Sequence, residues 1–462
     1  MKVCLAADFG STFTKLTAID LESAKLVGYA KSFTTIETNV AEGYENALRQ
    51  LYQQCGKVEF FCKVASSSAA GGLKMVSSGL VPDLTAKASK LAAASAGAKV
   101  LKTYSYELTK KEQQEIAAIN PDIILLSGGI DGGNKEVVLH NAGMIGEIAG
   151  DFAVIVAGNR SAADEVTDIL KRSGKRFIIC NNVMPEFNKL DIQPARQAIR
   201  ELFIENIISA KGLDEVQRFL SAEIIPTPLA VYEAAELLAR GTAEQQGLGE
   251  LMAFDVGGAT TDVYSMAGGL PSRPNVYLQG LNEPFAKRTV EGDIGVRYSI
   301  VPLAEAAGTA VLADLAGTDE ATVERWLQTC RENPGIVPDK DSVEKKIDEA
   351  LAAEAVRISA ERHCGYTERS FSPVGEVLLQ TGKDLTGVGY IIGSGGSVVN
   401  STNPAGILKN AVYSPADLNA LKPLSPKFLL DEKNCFAALG LISRIDKNAA
   451  LKIMKQALKI VC

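Results

Sequence analysis

Two fourteen-residue stretches constrain this chain more than any other feature: "LAADFGSTFTKLTA" at 5–18 and "MAFDVGGATTDVYS" at 252–265. Aligned without gaps, Asp8 falls on Asp255, Gly10 on Gly257 and Thr14 on Thr261. Each reads as an apolar strand, a small-residue turn and a second strand, with an acid where the first strand ends. One such unit is an ordinary hairpin. Two of them, far apart in the chain, point to two lobes facing one anionic ligand.

The segments around them organise accordingly. Residues 2–35 read as an antiparallel meander, followed by a helix over 40–54 and a further strand in "EFFCKVASSS". Between 85 and 190 the pattern changes. Continuous apolar strands such as "DIILLSGG" and "FAVIVAGN" alternate with helical stretches, as in a parallel α/β layer. Residues 194–246 read as mainly helical, and "GTAEQQGLGE" breaks the pattern. The expected division is 1–246 as a first lobe with an inserted α/β region, and 247–430 as a second lobe. Residues 431–462 are expected to form connecting helices that return to the first lobe.

The hairpin turns have a chemistry to match. Gly and Ser permit a tight turn whose clustered backbone N–H groups bind phosphate oxygens. In "DFGSTFTK", Gly10 shapes the turn, Ser11, Thr12 and Thr14 add hydroxyl donors, and Lys15 adds a point charge. Asp8 would repel phosphate directly, so its sensible task is to hold a water-ligated Mg²⁺, which takes few carboxylates. "DVGGATTD" repeats the logic with Asp255, Gly257, Gly258 and Thr260, and replaces the lysine with Asp262. A second carboxylate there can bind metal-bound water or orient an attacking water. A third element, "GYIIGSGGS", runs an apolar strand into a glycine turn, and Gly395, Gly396 and Ser397 read as a shelf for adenine or ribose.

Composition excludes several classes. The 48 basic and 55 acidic residues leave a net charge of −7 with no basic run, which argues against nucleic acid as an obligatory partner. No run approaches the ~18 apolar residues that span a bilayer, and the N-terminal stretch is too short and interrupted for a secretory signal, so a cytoplasmic chain is expected. The eight cysteines form no C-x-x-C pair, and two histidines rule out a multi-histidine metal site.

The ordered set "DFGSTFTK", "DVGGATTD", "GYIIGSGGS" and "FAALGL" resembles the phosphate-1, phosphate-2, adenosine and connecting motifs of the actin/Hsp70/sugar-kinase ATPase superfamily. That resemblance implies an α/β, two-lobed actin-like ATPase with ribonuclease-H-like lobes and a nucleotide cleft between them. It implies Mg–ATP as cofactor, with Asp8 and Asp255 holding the metal's water shell, Lys15 on phosphate, Thr260 and Asp262 as the phosphate-2 threonine and acid, and Gly440 as a close-packing glycine of a connecting helix. A closer resemblance covers nearly the whole chain. "ASSSAAGGLKM", "PDIILLSGGIDGGN", "AGNRSAADEV", "IIPTPLAVYEAAELL" and "RTVEGDIGVR", with the hairpins, are similar to the glutamate-mutase L (MutL/GlmL) family. It implies an ATP-dependent reactivating chaperone whose partner is an adenosylcobalamin-dependent mutase of the glutamate mutase or aminomutase type. No D-x-H-x-x-G cobalamin signature is present, so any corrinoid would belong to the partner enzyme. Two alternatives stay open: a small-molecule kinase of the same superfamily, with Asp262 as base, and an actin-like nucleotide-dependent filament or scaffold. Homo-oligomers are compatible with each. Within "TVEGDIGVR", Glu291, Asp293 and Arg297 are candidates either for the cleft, with Arg297 facing phosphate, or for a solvated loop.

Overall fold

The computed structural model describes residues 2–10, 13–34, 40–68, 73–208, 216–373 and 375–461. The chain divides into two compact units, Met1–Ala234 with Ala437–Ile453, and Ala235–Phe436 with Met454–Cys462.

The first unit is built on a five-stranded sheet in the order β10-β4-β1-β2-β3. Strands β1 (Val3–Phe9), β2 (Phe13–Asp20) and β3 (Lys25–Phe33) form the antiparallel meander, while β4 (Cys62–Ser67) and β10 (Ile225–Pro226) run parallel to β1. All seven residues of β1 are buried because the strand lies in the sheet's middle. Register brings Cys4 opposite Cys62, so two cysteines distant in sequence meet across β1 and β4.

A second sheet is inserted between β4 and β10. It consists of β5 (Lys74–Gly79), β6 (Lys99–Ser105), β7 (Ile123–Leu126), β8 (Ala153–Val156) and β9 (Arg176–Ile179), all parallel in the order β6-β5-β7-β8-β9. Its central strands "IILL" and "AVIV" are wholly buried, as expected of parallel strands covered by helices on both faces. Ile116, Val138, Ile145, Val166 and Leu170 from the flanking helices form one of its cores.

The second unit repeats the first sheet's plan. Strands β11 (Leu251–Val256), β12 (Thr261–Met266) and β14 (Ala286–Glu291) form an antiparallel meander, and β17 (Tyr390–Ser394) and β18 (Lys427–Leu430) run parallel to β11. The order is β14-β12-β11-β17-β18, extended by β19 (Lys459–Val461). A meander of three strands, then two parallel strands beside the first, is the ribonuclease-H-like plan. Its occurrence in both units makes this the actin-like ATPase fold. Helix Val343–His363 packs its long buried face against this sheet's core with Phe254, Val263 and Ile391. A small sheet, β13 (Val276–Gln279), β16 (Gly375–Thr381) and β15 (Tyr366–Ser372), completes the unit.

Two details correct the helical readings above. Residues 194–246 contain helices Gln193–Ile208 and Thr227–Arg240, but the short strand β10 stands before the second. The terminal helix Lys447–Ala457 stops after Leu458 bonds back to Met454, and the β-branched Ile460 and Val461 then pair antiparallel with β18.

Candidate functional site

The two hairpins share one geometry. In each, the amide of the first glycine closes the turn onto a carbonyl three residues later: Gly10 to Phe13 at 3.0 Å and Gly257 to Thr260 at 2.9 Å. The register is the same too. Asp8 stands opposite Lys15 on one side and Ser66 on the other, and Asp255 stands opposite Asp262 and Ser394. Each aspartate therefore sits near the carboxyl end of a first strand, flanked by a meander strand and by a serine of the parallel fourth strand. That edge is where open α/β sheets bind ligands.

In the first unit, Asp8 is nearly buried and well supplied with donors. Its Oδ1 accepts from Thr227 Oγ1 at 2.6 Å and Ser66 Oγ at 3.0 Å, and Lys15 Nζ lies 3.9 Å from Oδ2. The Thr227 contact comes from the helix that follows β10, so three segments orient one carboxylate. Thr14, expected to donate to phosphate, is wholly buried and its Oγ1 lies 3.0 Å from that of Thr34. Ser11 and Thr12 lie outside the described residues, as does most of "SSSAAGG".

In the second unit, Asp255 and Asp262 face each other across adjacent strands, a like-charge pairing that destabilises a sheet unless compensated. Arg288 of β14 supplies the compensation. Its Nε and Nη2 reach Asp262 Oδ1 at 2.7 and 2.6 Å, and its side chain is 3% exposed. Burial works against the Arg288 charge, but Asp262 and Tyr264 outweigh it and hold the guanidinium above its ordinary pKa. Sequence reasoning missed Arg288, whose only signal was its place in a strand that register sets beside β12.

The turn after β17 closes on the same place. Gly395 has φ +87°, and a Cβ there would stand 2.4 Å from the Val256 carbonyl and 2.9 Å from Asp255 Oδ1. Only glycine admits both the conformation and the approach. Ser397 Oγ donates to the Val256 carbonyl at 3.2 Å, and Ser394 Oγ donates to Asn434 Oδ1 at 3.4 Å. The structure thus brings Asp255, Asp262, Gly257, Gly258, Thr260, Gly395, Gly396 and Ser397 to one end of one sheet.

"EGDIGVR" is neither a phosphate arm nor a solvated loop. The Gly257 carbonyl accepts from Val296 N, and the Gly258 carbonyl accepts from Arg297 N and Tyr298 N, at 2.8–3.1 Å. A Cβ on Gly295 would stand 2.4 Å from the Ala259 carbonyl carbon. The segment therefore braces the second hairpin's turn from behind. Arg297 turns away to a bidentate pair with Asp348, which also accepts from Trp326 Nε1, and Arg362 pairs with Glu291 and Asp293. Gly440 does what its motif implies: a Cβ there would fall 1.9 Å from the Ala230 carbonyl, where helix Phe436–Ser443 meets helix Thr227–Arg240.

Among the described residues no group of three or more His, Cys, Asp or Glu side chains is placed to hold a metal. Mg²⁺ asks less, since it is commonly held by one or two carboxylates with water and phosphate as its other ligands. The Asp255 carboxylate beside a glycine cradle that a Cβ would fill fits that donor set. Among the described residues no helix is long and apolar enough to cross a membrane.

The family model for "MutL protein" matches residues 4–458. The chain belongs to the MutL protein family. It is 46% identical over 460 residues to "Protein MutL" of Clostridium tetanomorphum, covering 99% of both chains. Among solved structures it is similar to a diol dehydratase-reactivating factor in nucleotide-free form, at 10% identity and TM-score 0.37, covering 96% of this chain and 100% of that one. It is also similar to the activator of 2-hydroxyisocaproyl-CoA dehydratase from Clostridium difficile with bound ADPNP, at 10% identity and TM-score 0.31, with full coverage of both chains. The sheet order described above, rather than these alignments, carries the fold.

Proposed function

We propose that this MutL-family chain is an ATP-dependent reactivating chaperone for an adenosylcobalamin-dependent mutase, coupling Mg–ATP binding and hydrolysis to exchange of damaged cobalamin. The observation that carries the ATPase reading is the duplicated hairpin, alike in turn closure and register and ending in both copies beside an aspartate. The client comes from the family resemblance. Corrinoid would reach the system through the mutase.

In this reading the turns at Gly10–Lys15 and Gly257–Thr260 bind phosphate through backbone N–H groups, the hydroxyls of Ser11, Thr12 and Thr260, and Lys15. Asp8 and Asp255 would hold Mg²⁺ through its water shell, and the ion would neutralise charge on the phosphate oxygens. Gly395, Gly396 and Ser397 seat the nucleoside. Asp262 orients the attacking water. Arg288 Nε and Nη2 both reach Asp262 Oδ1, which fixes the orientation of the carboxylate for holding a water.

The test uses purified chain and a glutamate-mutase-type enzyme inactivated by bound hydroxocobalamin. With ATP and fresh adenosylcobalamin, mutase turnover should return and corrinoid should appear free in solution. Asp255→Asn should lower the ATP-dependent recovery by about 100-fold or more. Recovery without ATP, or recovery untouched by Asp255→Asn, would falsify the reading.

A further inference from the structure

The first unit holds a cavity of about 170 Å³ that is separate from its Asp8 hairpin and lined almost wholly by polar side chains. Helix Gln193–Ile208 contributes Gln193, Arg196, Gln197 and Arg200, whose spacing places them on one face. Helix Thr227–Arg240 contributes Glu233, and Arg444 follows helix Phe436–Ser443. Three guanidiniums therefore face one carboxylate.

That carboxylate is already committed. Arg444 Nε and Nη2 take Glu233 Oε2 and Oε1 at 2.6 and 2.5 Å, and Arg196 Nη2 stands 3.6 Å from Oε1. Arg196 also lies over the Tyr232 ring, 5.1 Å from its centroid. Arg200 makes no hydrogen bond or ion pair among the described residues, although it is half-buried. Burial and then Arg444 push its pKa below the ordinary value, and Glu233 and the nearby Glu223 oppose that shift. A half-buried guanidinium that makes no hydrogen bond or ion pair among the described residues, beside two others that share one carboxylate, leaves N–H donors in the cavity uncommitted.

We propose that this cavity is a binding site for inorganic phosphate, distinct from the nucleotide hairpins. Arg200 would present its planar fork to two phosphate oxygens, the geometry for which guanidinium is best matched. Gln193 brings a side-chain amide that can donate to a remaining oxygen, and Gln197, whose Nε2 gives one N–H to Glu201 Oε1 at 3.1 Å, has a second to offer. The volume admits such an anion with accompanying water. The bound anion would tie together helix Gln193–Ile208, Glu233 and Arg444, and the residues at the cavity all belong to the first unit.

The test is thermal unfolding of the full chain in chloride buffer at fixed ionic strength, with inorganic phosphate titrated in place of chloride. Wild type should show a saturable rise in Tm of a few degrees. Arg200→Gln should abolish that rise and weaken phosphate affinity by calorimetry roughly 10-fold or more. In chloride alone Arg200→Gln should melt no lower than wild type, because it removes repulsion rather than a contact. Gln197→Glu, which sets a carboxylate in the cavity, should raise the chloride Tm and block the phosphate response. The proposal is overturned by the absence of a saturable shift in wild type. It is equally overturned if the shift survives in Arg200→Gln, since phosphate would then be acting at the hairpins or elsewhere.

Discussion

Lys383 is 1% exposed in the second unit, where its Nζ donates to the Phe285 carbonyl at 2.7 Å and the Pro284 carbonyl at 3.0 Å. Burial first, and Lys287 second, push its pKa down to about 7 from the ordinary 10.5. The unfolded chain therefore holds a proton that the folded chain has released between about pH 7 and 10.5. Stability conferred by this group is present above the unfolded value and is lost as pH falls toward 7. Lys383→Met removes the titration, so wild-type stability should climb relative to the variant across that window, by at most about 1.4 kcal/mol per pH unit. Denaturant unfolding at pH 7, 8, 9 and 10 measures it, and parallel curves would mean that the buried amine keeps its charge. At this scale the sequence was legible only where chemistry is local. Asp8, Gly10 and Lys15 are close neighbours in the chain, as are Asp255, Gly257 and Asp262, and a tight turn keeps such neighbours together. Arg288 finds Asp262 through strand register, and Arg297 finds Asp348 across fifty-one residues. A residue reader sees those charges and cannot see their partners.

Among elements, the hairpins were readable because period and punctuation agree: apolar strand, glycine turn, strand. The brace behind the second turn was not readable, because its contacts are mostly backbone to backbone, and the hydroxyls that join them, Ser299 to the Ala259 carbonyl and Thr261 to the Ile294 carbonyl, pair residues more than thirty apart in the chain. The two-residue β10 was lost for a related reason, since "IIPTPL" runs straight into a helix and has no room for a period. The glycine turn after β17 supplies a sharper check of how these elements fit. Gly395 holds a positive φ with the Val256 carbonyl and the Asp255 carboxylate against its open side, whereas a Cβ on Gly396 would meet nothing nearer than Asn400 Nδ2 at 3.8 Å. Gly395→Ala should cost about 1–3 kcal/mol of stability from backbone strain and displace Asp255, with ATP turnover lost in consequence. Gly396→Ala, one residue on, should unfold like wild type, because a Cβ there has room. Equal losses of stability for the two substitutions in denaturant unfolding would show that the turn is not held as described.

On the scale of the molecule, the repeated sheet plan was foreshadowed by the repeated hairpin, but the rest of each sheet was not. The parallel fourth and fifth strands carry no resemblance to each other, and β4 and β10 are separated by the whole inserted layer. Each unit nevertheless closes its own apolar core. In the second, Phe254, Val263, Trp326, Leu351 and Ile391 belong to one continuous cluster. A chain with separate cores departs from all-or-none unfolding. The buried Arg288–Asp262 pair lies within the second unit and lets this be tested. Arg288→Met leaves the Asp262 carboxylate without its cation and opposite Asp255, a loss of about 3–5 kcal/mol for a broken buried pair. For a unit of this size that moves a melting transition by on the order of 10 °C. Scanning calorimetry should resolve two transitions in wild type, and Arg288→Met should lower one and leave the other in place. If both moved together, the three chain crossings at 234, 436 and 453 would bind the units into one cooperative body. Local damage at the second hairpin would then be felt at Asp8 as well.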